Sequence, residues 1–194
     1  MPIEAVEMKY SDPMAFEQVS KNIPQPVTTY IEVPLDVNGT SALDQISRGG
    51  MRAKIRMGGI TPEAFPPPST VVQMLSALAK LRLPFKATAG LHHPIRSTQP
   101  LTYNPQSETS TMHGFVNLCC AAAVLYFGGN EQHAEDILKD EDRASWRIDN
   151  ESLQWRHLKW TKDQLATLRR DFFIGIGSCS FEEPIHDLEA FGWL

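Results

Sequence analysis

Apolar and polar residues alternate with a period of two in several short segments of the chain, and longer segments between them repeat apolar residues every three or four positions. Strict alternation predicts a half-buried β-strand, and the longer period predicts an amphipathic helix. The predicted strands cover residues 3–9, 28–34, 52–57, 85–91 and 172–177. The predicted helices cover residues 12–21, 41–48, 69–81, 111–127, 131–141 and 184–191, with another beginning at Thr161. A hairpin is expected around Asn150.

This order of elements predicts an α/β fold of parallel βα repeats, because consecutive parallel strands need a crossover that is usually a helix. Right-handed crossovers would place the helices outside a partial or incomplete TIM-barrel-like sheet. A closed barrel of that type has eight strands and about 250 residues, whereas this chain has 194 residues. We therefore expect a single domain, residues 1–194, whose sheet is closed by the hairpin, by a partner subunit, or not at all.

One face of the predicted sheet is unusually polar. Alternation places apolar residues on one side of each strand and ionisable residues on the other. The ionisable set is Glu7, Lys9, Glu32, Lys54, Arg56 and Lys86. Four cations against two carboxylates favour a small anionic substrate that carries a carboxylate or phosphate. The alternative is an open sheet with one wet face, on which these residues form solvated ion pairs.

The carboxyl ends of parallel strands usually build the site of an α/β protein, and here the fourth strand is followed by His92 and His93. We place His113 in the first turn of the next helix, where the helix dipole disfavours a protonated imidazole. Neutral histidines can move protons or ligate a metal. The predicted catalytic residues are His92, His93, His113, Lys86 and Glu32. The predicted substrate-binding residues are Lys54, Arg56, Lys9, Arg96 and Thr88. A divalent metal held by the three histidines is the alternative.

Cys179 precedes the last predicted helix and is a candidate nucleophile. The competing interpretation is purely structural, since Ser180 and Glu183 have the spacing of a capping box. The polar segment 95–110 reads as a loop and is a lid candidate, from which Arg96 and Tyr103 could reach a ligand.

The amino-acid composition argues against two classes of binding partner. A net charge of −5 and a pI near 5.7 argue against nucleic acid and anionic membranes, which both need a basic surface. The N-terminus does not resemble a signal peptide, and the apolar run 115–127 is too short to span a bilayer. An odd count of 3 cysteines fits a reducing cytoplasm. The aromatic run 155–160 indicates packing or a subunit contact, so a homodimer is an expectation.

The segments KATAGLHHP, MHGF and GSCSFEEP together resemble a family of uncharacterised bacterial proteins with partial (βα)-barrel-like folds. The resemblance covers nearly the whole chain and implies that it corresponds to the later part of a fuller barrel. The stretches FKATAG and AKIRMGG resemble the lysine-bearing strands of class I aldolases of the deoxyribose-phosphate type. That likeness implies a Schiff-base role for Lys86, and the alternative is anion binding by Lys86 and Lys54 without a covalent bond.

These observations predict an enzyme acting on a small anionic metabolite by acid–base chemistry, of a lyase, aldolase-like or hydrolase type. A metal-dependent hydrolase that adds Glu32 or Glu182 to the histidines is one alternative. A non-catalytic ligand-binding or assembly protein is the other.

Overall fold

The computed structural model describes residues 3–10, 12–23, 27–102, 104, 106–180 and 182–194. Strands and helices alternate through most of this range. The strands are β1 (Ala5–Lys9), β2 (Thr28–Glu32), β3 (Arg52–Arg56), β4 (Phe85–Thr88), β5 (Ser97–Pro100), β6 (Thr109–Met112), β7 (Trp146–Ile148), β8 (Ser152–Trp155), β9 (Leu158–Thr161) and β10 (Phe173–Gly177). The helices are α1 (Pro13–Ser20), α2 (Val37–Arg48), α3 (Pro68–Lys80), α4 (Phe115–Tyr126), α5 (Glu131–Lys139), α6 (Lys162–Asp171) and α7 (Glu182–Ala190).

The main sheet confirms the predicted α/β class. In the described part of the chain it has five strands in the order β1-β2-β3-β4-β10, and every neighbouring pair is parallel. All five were predicted from alternation, at nearly the observed positions. Each chain segment between consecutive strands of this sheet contains at least one helix, as parallel pairing requires.

The apolar face of the sheet lies in the core. Ile31, Ala53, Ile55, Phe85 and Ala87 alternate with the polar residues along three adjacent strands, and each is completely buried. They belong to one hydrophobic cluster together with buried residues of α2, α3 and α4. Burying an isoleucine or phenylalanine side chain stabilises a fold by about 1.5–3 kcal/mol. This packing fixes which face of each strand is left to carry the polar side chains.

The segment predicted as a loop is a β-hairpin. Antiparallel β5 and β6 pair from Ser97–Met112 to Pro100–Thr109. The prediction of a helix from residue 111 was wrong at its start, because Thr111 and Met112 belong to β6 and α4 begins only at Phe115. Gly114 is the residue before the helix, and a Cβ there would lie 2.2 Å from the side-chain oxygen of Asn117. Tyr103 lies outside the described residues.

Antiparallel β7, β8 and β9 form a separate three-stranded sheet, which contains the expected hairpin around Asn150. Trp146, Trp155 and Trp160 are all buried, so the aromatic run packs into the core of this chain. The indole nitrogen of Trp155 donates to Asp140 at 2.8 Å. Among the described residues, no helix combines the length and the apolar character needed to cross a bilayer.

Candidate functional site

A cavity of about 800 Å³ lies at the carboxyl ends of β3, β4 and β10. It is called the strand-end cavity here, and its chemically active lining residues are Lys54, Arg56, Thr88, His92, His93, Ser178, Cys179 and Glu183. One wall comes from the β5–β6 hairpin, through Gln99, Thr102 and Thr109 among others. Six of the eleven predicted site residues therefore meet in one place: Lys54, Arg56, Thr88, His92, His93 and Cys179.

The strand register forms the floor of the strand-end cavity. Arg56 pairs with Thr88, and Thr88 pairs with Gly177, so the three form one row across adjacent strands. Gly177 has no side chain, which leaves the end of the row open; an added Cβ would lie 3.0 Å from Cγ2 of Thr88. The buried hydroxyl of Thr88 has no hydrogen-bond partner among the described residues. Arg56 forms no ion pair with any described carboxylate.

Lys54 and Lys86 form the neighbouring row on β3 and β4, and both make ion pairs. Nζ of Lys54 lies 2.7 Å from Glu7 and 2.8 Å from Glu32, and Lys54 and Glu32 are only 14% and 12% exposed. Burial alone lowers the pKa of Lys54, but its hydrogen bonds to Glu32 and Glu7 outweigh burial and raise that pKa overall. Hydrogen bonds from Lys54 and Lys86 hold the pKa of Glu7 below its usual range. Among the described residues, the expected excess of cations on this face is therefore reduced to Arg56 and Lys9, for which no ion pair is seen.

Lys86 makes an ion pair with Glu7, and its ammonium group lies 4.1 Å from the centre of the Tyr30 ring. It is not among the residues that line the strand-end cavity. A Schiff base would need the Lys86 amine to reach a substrate in the cavity, whereas its observed contacts are an ion pair and a cation–π contact. The geometry therefore favours the ionic interpretation of Lys86 over the Schiff-base interpretation.

The adjacent histidines are each held by a carboxylate from the last helix. Nδ1 of His92 lies 3.0 Å from Glu183, and Nδ1 of His93 lies 2.7 Å from Asp187. The two acids are one helical turn apart on α7, so they share a face. An ionised carboxylate only accepts hydrogen bonds, so Nδ1 carries the hydrogen in the neutral imidazoles and Nε2 keeps its lone pair. Both rings can therefore act as bases through Nε2.

Cys179 lies against His92. Its sulfur is 3.7 Å from Nε2 and 3.9 Å from Nδ1, while the hydroxyl of Ser178 is 3.3 Å from Nδ1. The structural interpretation of this segment holds in part, because the hydroxyl of Ser180 accepts from the backbone N–H of Glu183 at 3.4 Å. The other half of a capping box would need the Glu183 side chain, which instead bonds His92.

His113 lies apart from the other two histidines and does not line the strand-end cavity. Its placement in a helical first turn was wrong, since it lies between β6 and α4 and is completely buried. Nε2 lies 2.7 Å from the carbonyl oxygen of Pro66, and a carbonyl can only accept, so Nε2 carries the hydrogen. Burial, more than the nearby charge of Arg96, lowers the pKa of His113 to about 4. The ring is thus neutral because it is buried and not because of a helix dipole.

Three other predicted residues also lie outside the strand-end cavity. Arg96 pairs with Glu141 at 3.3 Å and is not among the residues that line the cavity. Lys9 and Glu32 line a second, shallower cleft of about 390 Å³, which they share with Arg56. Within the described ranges, no three or more His, Cys, Asp or Glu side chains are grouped to hold a metal ion. The set of His92, His93 and His113 considered as metal ligands is therefore not assembled.

The chain enters the histidine segment through two consecutive residues in left-handed backbone conformation, Ala89 with φ 65° and Gly90 with φ 68°. This conformation is costly for alanine and is found preferentially at functional sites. A Cβ on Gly90 would lie 2.8 Å from Cα of Gly58 and 2.7 Å from Phe65. The close approach of Gly58 and Gly90 brings the ends of β3 and β4 together beneath the cavity.

Sequence reasoning missed the roles of Glu183 and Asp187. Their spacing of four residues on a predicted helix is a visible signal, because it matches two acceptors on one helical face. Nothing local indicates that this face meets two histidines some 90 residues earlier.

Comparison of the chain with the models of known protein families, with curated proteins and with solved structures gave no match.

Proposed function

We propose that this protein is an enzyme that acts on a small anionic metabolite by acid–base chemistry in the strand-end cavity. The observation that carries the proposal is that Arg56 and two imidazoles line the same cavity. Arg56 has no carboxylate partner among the described residues, and each imidazole is held by a carboxylate at Nδ1, which leaves the Nε2 lone pair as its base. Arg56 supplies a fixed positive charge and a planar set of donors suited to a carboxylate or phosphate.

His92 and His93 act as the proton-transfer groups. Each is oriented by a carboxylate, an arrangement that fixes the ring and stabilises the imidazolium formed when Nε2 takes a proton. Lys54 is already shared between two carboxylates, so its charge is compensated and Arg56 is left to bind the anion. Lys86 and Glu32 belong to the same network of ion pairs as Lys54. Thr88 lies between Arg56 and Gly177, the residue two positions before Cys179.

Calorimetry at low ionic strength tests the binding half of the proposal, using a panel of small mono- and dicarboxylates and inorganic phosphate. We expect Arg56→Gln to weaken binding of the anion that the wild type prefers by at least about tenfold, the loss of one charge-assisted contact. Arg147→Gln removes an exposed cation on β7 and is the matched control. Equal binding by wild type and Arg56→Gln would remove the basis of the proposal.

The catalytic half is tested with His92→Gln. This variant should bind the same anion with little change and lose turnover by about 10²–10⁴, the usual contribution of a general acid–base group. Retained turnover would show that His92 does not move the proton.

We also propose that the five-stranded sheet is an incomplete TIM-barrel-like arrangement completed by a second copy of the chain. The described sheet ends at β1 on one side and β10 on the other, and open edges favour pairing. Light scattering of the purified protein across a concentration series tests this, and a monomer at all concentrations would contradict it.

A further inference from the structure

We infer that Cys179 is a covalent nucleophile, with His92 as its base and Glu183 as the residue that positions the base. The inference rests on the proposed function and deepens it to a substrate class: a small carboxylic ester that also carries an anionic group. Thiol, imidazole and carboxylate lie in that order at the edge of one cavity, with the sulfur 3.7 Å from Nε2 of His92 and Glu183 3.0 Å from Nδ1. This is the order in which nucleophile, base and orienting acid act in covalent catalysis.

The thiol needs a small rotation to reach its base. Its sulfur is almost equally far from the two ring nitrogens, so it is aligned with neither lone pair. Cys179 is exposed, which leaves room for rotation about its Cα–Cβ bond. Nδ1 is occupied by the Glu183 carboxylate, which leaves Nε2 as the nitrogen that can accept the thiol proton.

The proposed reaction is a hydrolysis in two steps. As the sulfur attacks the carbonyl carbon of the ester, Nε2 of His92 takes the thiol proton and the carbonyl electron pair moves to oxygen. The carbonyl then reforms, the C–O bond to the alcohol breaks, and the alcohol leaves with the proton from His92. Water attacks the resulting thioester while His92 takes a proton from it, and the sulfur leaves and regains that proton. No oxidant or reductant is required.

The strand register sets the distance between the anion and the scissile bond. Arg56 and Gly177 are two strands apart in the same row, so their Cα atoms are separated by roughly 10 Å at the usual strand spacing. Cys179 follows Gly177 by two residues. An arginine side chain and a small metabolite can bridge that distance, which places the anionic end of the substrate at Arg56 and the ester at Cys179.

Alkylation tests the activated thiol without a known substrate. Iodoacetamide is neutral and iodoacetate is anionic, but both present the same electrophilic carbon, and modification is located by peptide mass spectrometry. Cys119 and Cys120 should remain unmodified, because burial raises the pKa of Cys119 to about 11 and holds the pKa of Cys120 well above its usual range. We expect His92→Gln to slow iodoacetamide labelling of Cys179 near neutral pH by about tenfold or more. The charge of Arg56 should draw iodoacetate into the cavity, so we expect Arg56→Gln to slow labelling by iodoacetate and not by iodoacetamide, with Arg147→Gln as the control.

The positioning role of Glu183 has its own readout. Glu183→Gln keeps a hydrogen-bond acceptor for His92 but removes the charge that stabilises its imidazolium. His92 then loses its proton more easily, so the neutral base is present at lower pH and the pH profile of labelling should move to lower pH. Glu189→Gln, an exposed change on the same helix, should leave the profile in place. An unchanged profile in Glu183→Gln would overturn this assignment.

The covalent step is tested with the mono-p-nitrophenyl ester of succinic acid against neutral p-nitrophenyl butyrate. The wild type should release nitrophenolate faster from the anionic ester and carry a succinyl thioester on Cys179, and Cys179→Ala should do neither. Labelling that is independent of His92, or hydrolysis that persists in Cys179→Ala, would overturn the assignment of Cys179 as a nucleophile with His92 as its base. Anion binding through Arg56 is measured separately by calorimetry. Failure of the Cys179 assignment can therefore be distinguished from failure of the proposed function.

Discussion

The carboxylate of Glu183 lies 3.0 Å from Nδ1 of His92, although the two residues are 91 positions apart in the chain. One turn further along α7, Asp187 makes the equivalent contact with His93 at 2.7 Å. The last helix thus fixes both imidazoles at once, and it fixes them in the same tautomer. A change in how α7 packs would reorient both rings together.

Histidine tautomers can be measured directly, and the contacts predict a different result for each environment. Long-range ¹H–¹⁵N spectra near pH 8 should show the hydrogen on Nδ1 in His92 and His93, since each donates to a carboxylate. His113 should carry it on Nε2, which faces a carbonyl oxygen at 2.7 Å. Exposed His157 is the internal control and should show an averaged signal. An Nε2–H tautomer in His92 would contradict the assignment of Nε2 as the base.

The buried imidazole of His113 predicts how stability depends on pH. Its pKa falls from 6.5 to about 4 on folding, so between these values the unfolded chain binds a proton that the folded chain does not. Stability must then decrease as the pH is lowered through that window. The loss from this group between pH 7 and pH 5 is about 2 kcal/mol, at 1.36 kcal/mol per pKa unit.

Urea unfolding at the two pH values measures this loss, and His113→Gln isolates it. The variant should be less stable at pH 7, where it lacks the native fit, and should lose about 2 kcal/mol less than the wild type on going to pH 5. The carboxylates with lowered pKa, such as Glu7, are common to both proteins and cancel in the comparison. Equal losses in the two proteins would show that His113 is protonated in the folded state.

The faces of the strands could be predicted from sequence because alternation is a local property. Burial of Ile31, Ile55 and Phe85 on one side follows from a period of two and needs no knowledge of neighbours. The β5–β6 hairpin could not be predicted in the same way. Its residues are Ser, Thr, Gln and Pro with little apolar contrast, and the strands exist only because they pair with each other.

The site was only partly predictable, for a related reason. Alternation places Lys54 and Lys86 on the polar face, but which carboxylate each one contacts depends on strand order and register. Counting charges suggested four available cations, whereas pairing of Lys54 and Lys86 with Glu7 and Glu32 leaves Arg56, among the described residues of the strand-end cavity, without a carboxylate partner. Contacts with α7 depend on how the last element packs, which no local pattern encodes.

The ion pairs of Lys54 predict that breaking a poorly exposed ion pair lowers the free energy of unfolding more than breaking an exposed one. Lys54→Met leaves Glu32, which is 12% exposed, without its cation, and breaking such a pair should cost about 3 kcal/mol of the free energy of unfolding. Lys21→Met removes an exposed pair with Glu17, in which the side chains are 70% and 61% exposed, and should leave the free energy of unfolding almost unchanged because water screens the pair. Chemical denaturation of both variants at neutral pH makes the comparison. Similar small losses would mean that water reaches Glu32 freely.

Two glycines with the same backbone conformation test whether the close approach beneath the cavity constrains the fold. Gly50 has φ 66° and Gly90 has φ 68°, so alanine at either position should cost about 1 kcal/mol for the left-handed conformation. A Cβ on Gly50 meets nothing within 4 Å, whereas a Cβ on Gly90 would lie 2.8 Å from Cα of Gly58. The backbone at Gly58 can yield only by moving the end of β3, so Gly90→Ala should lose a further 1–3 kcal/mol, roughly the cost of overpacking. Equal losses of unfolding free energy in the two variants would show that β3 and β4 separate easily at their carboxyl ends, and the cavity floor would then be adaptable instead of fixed.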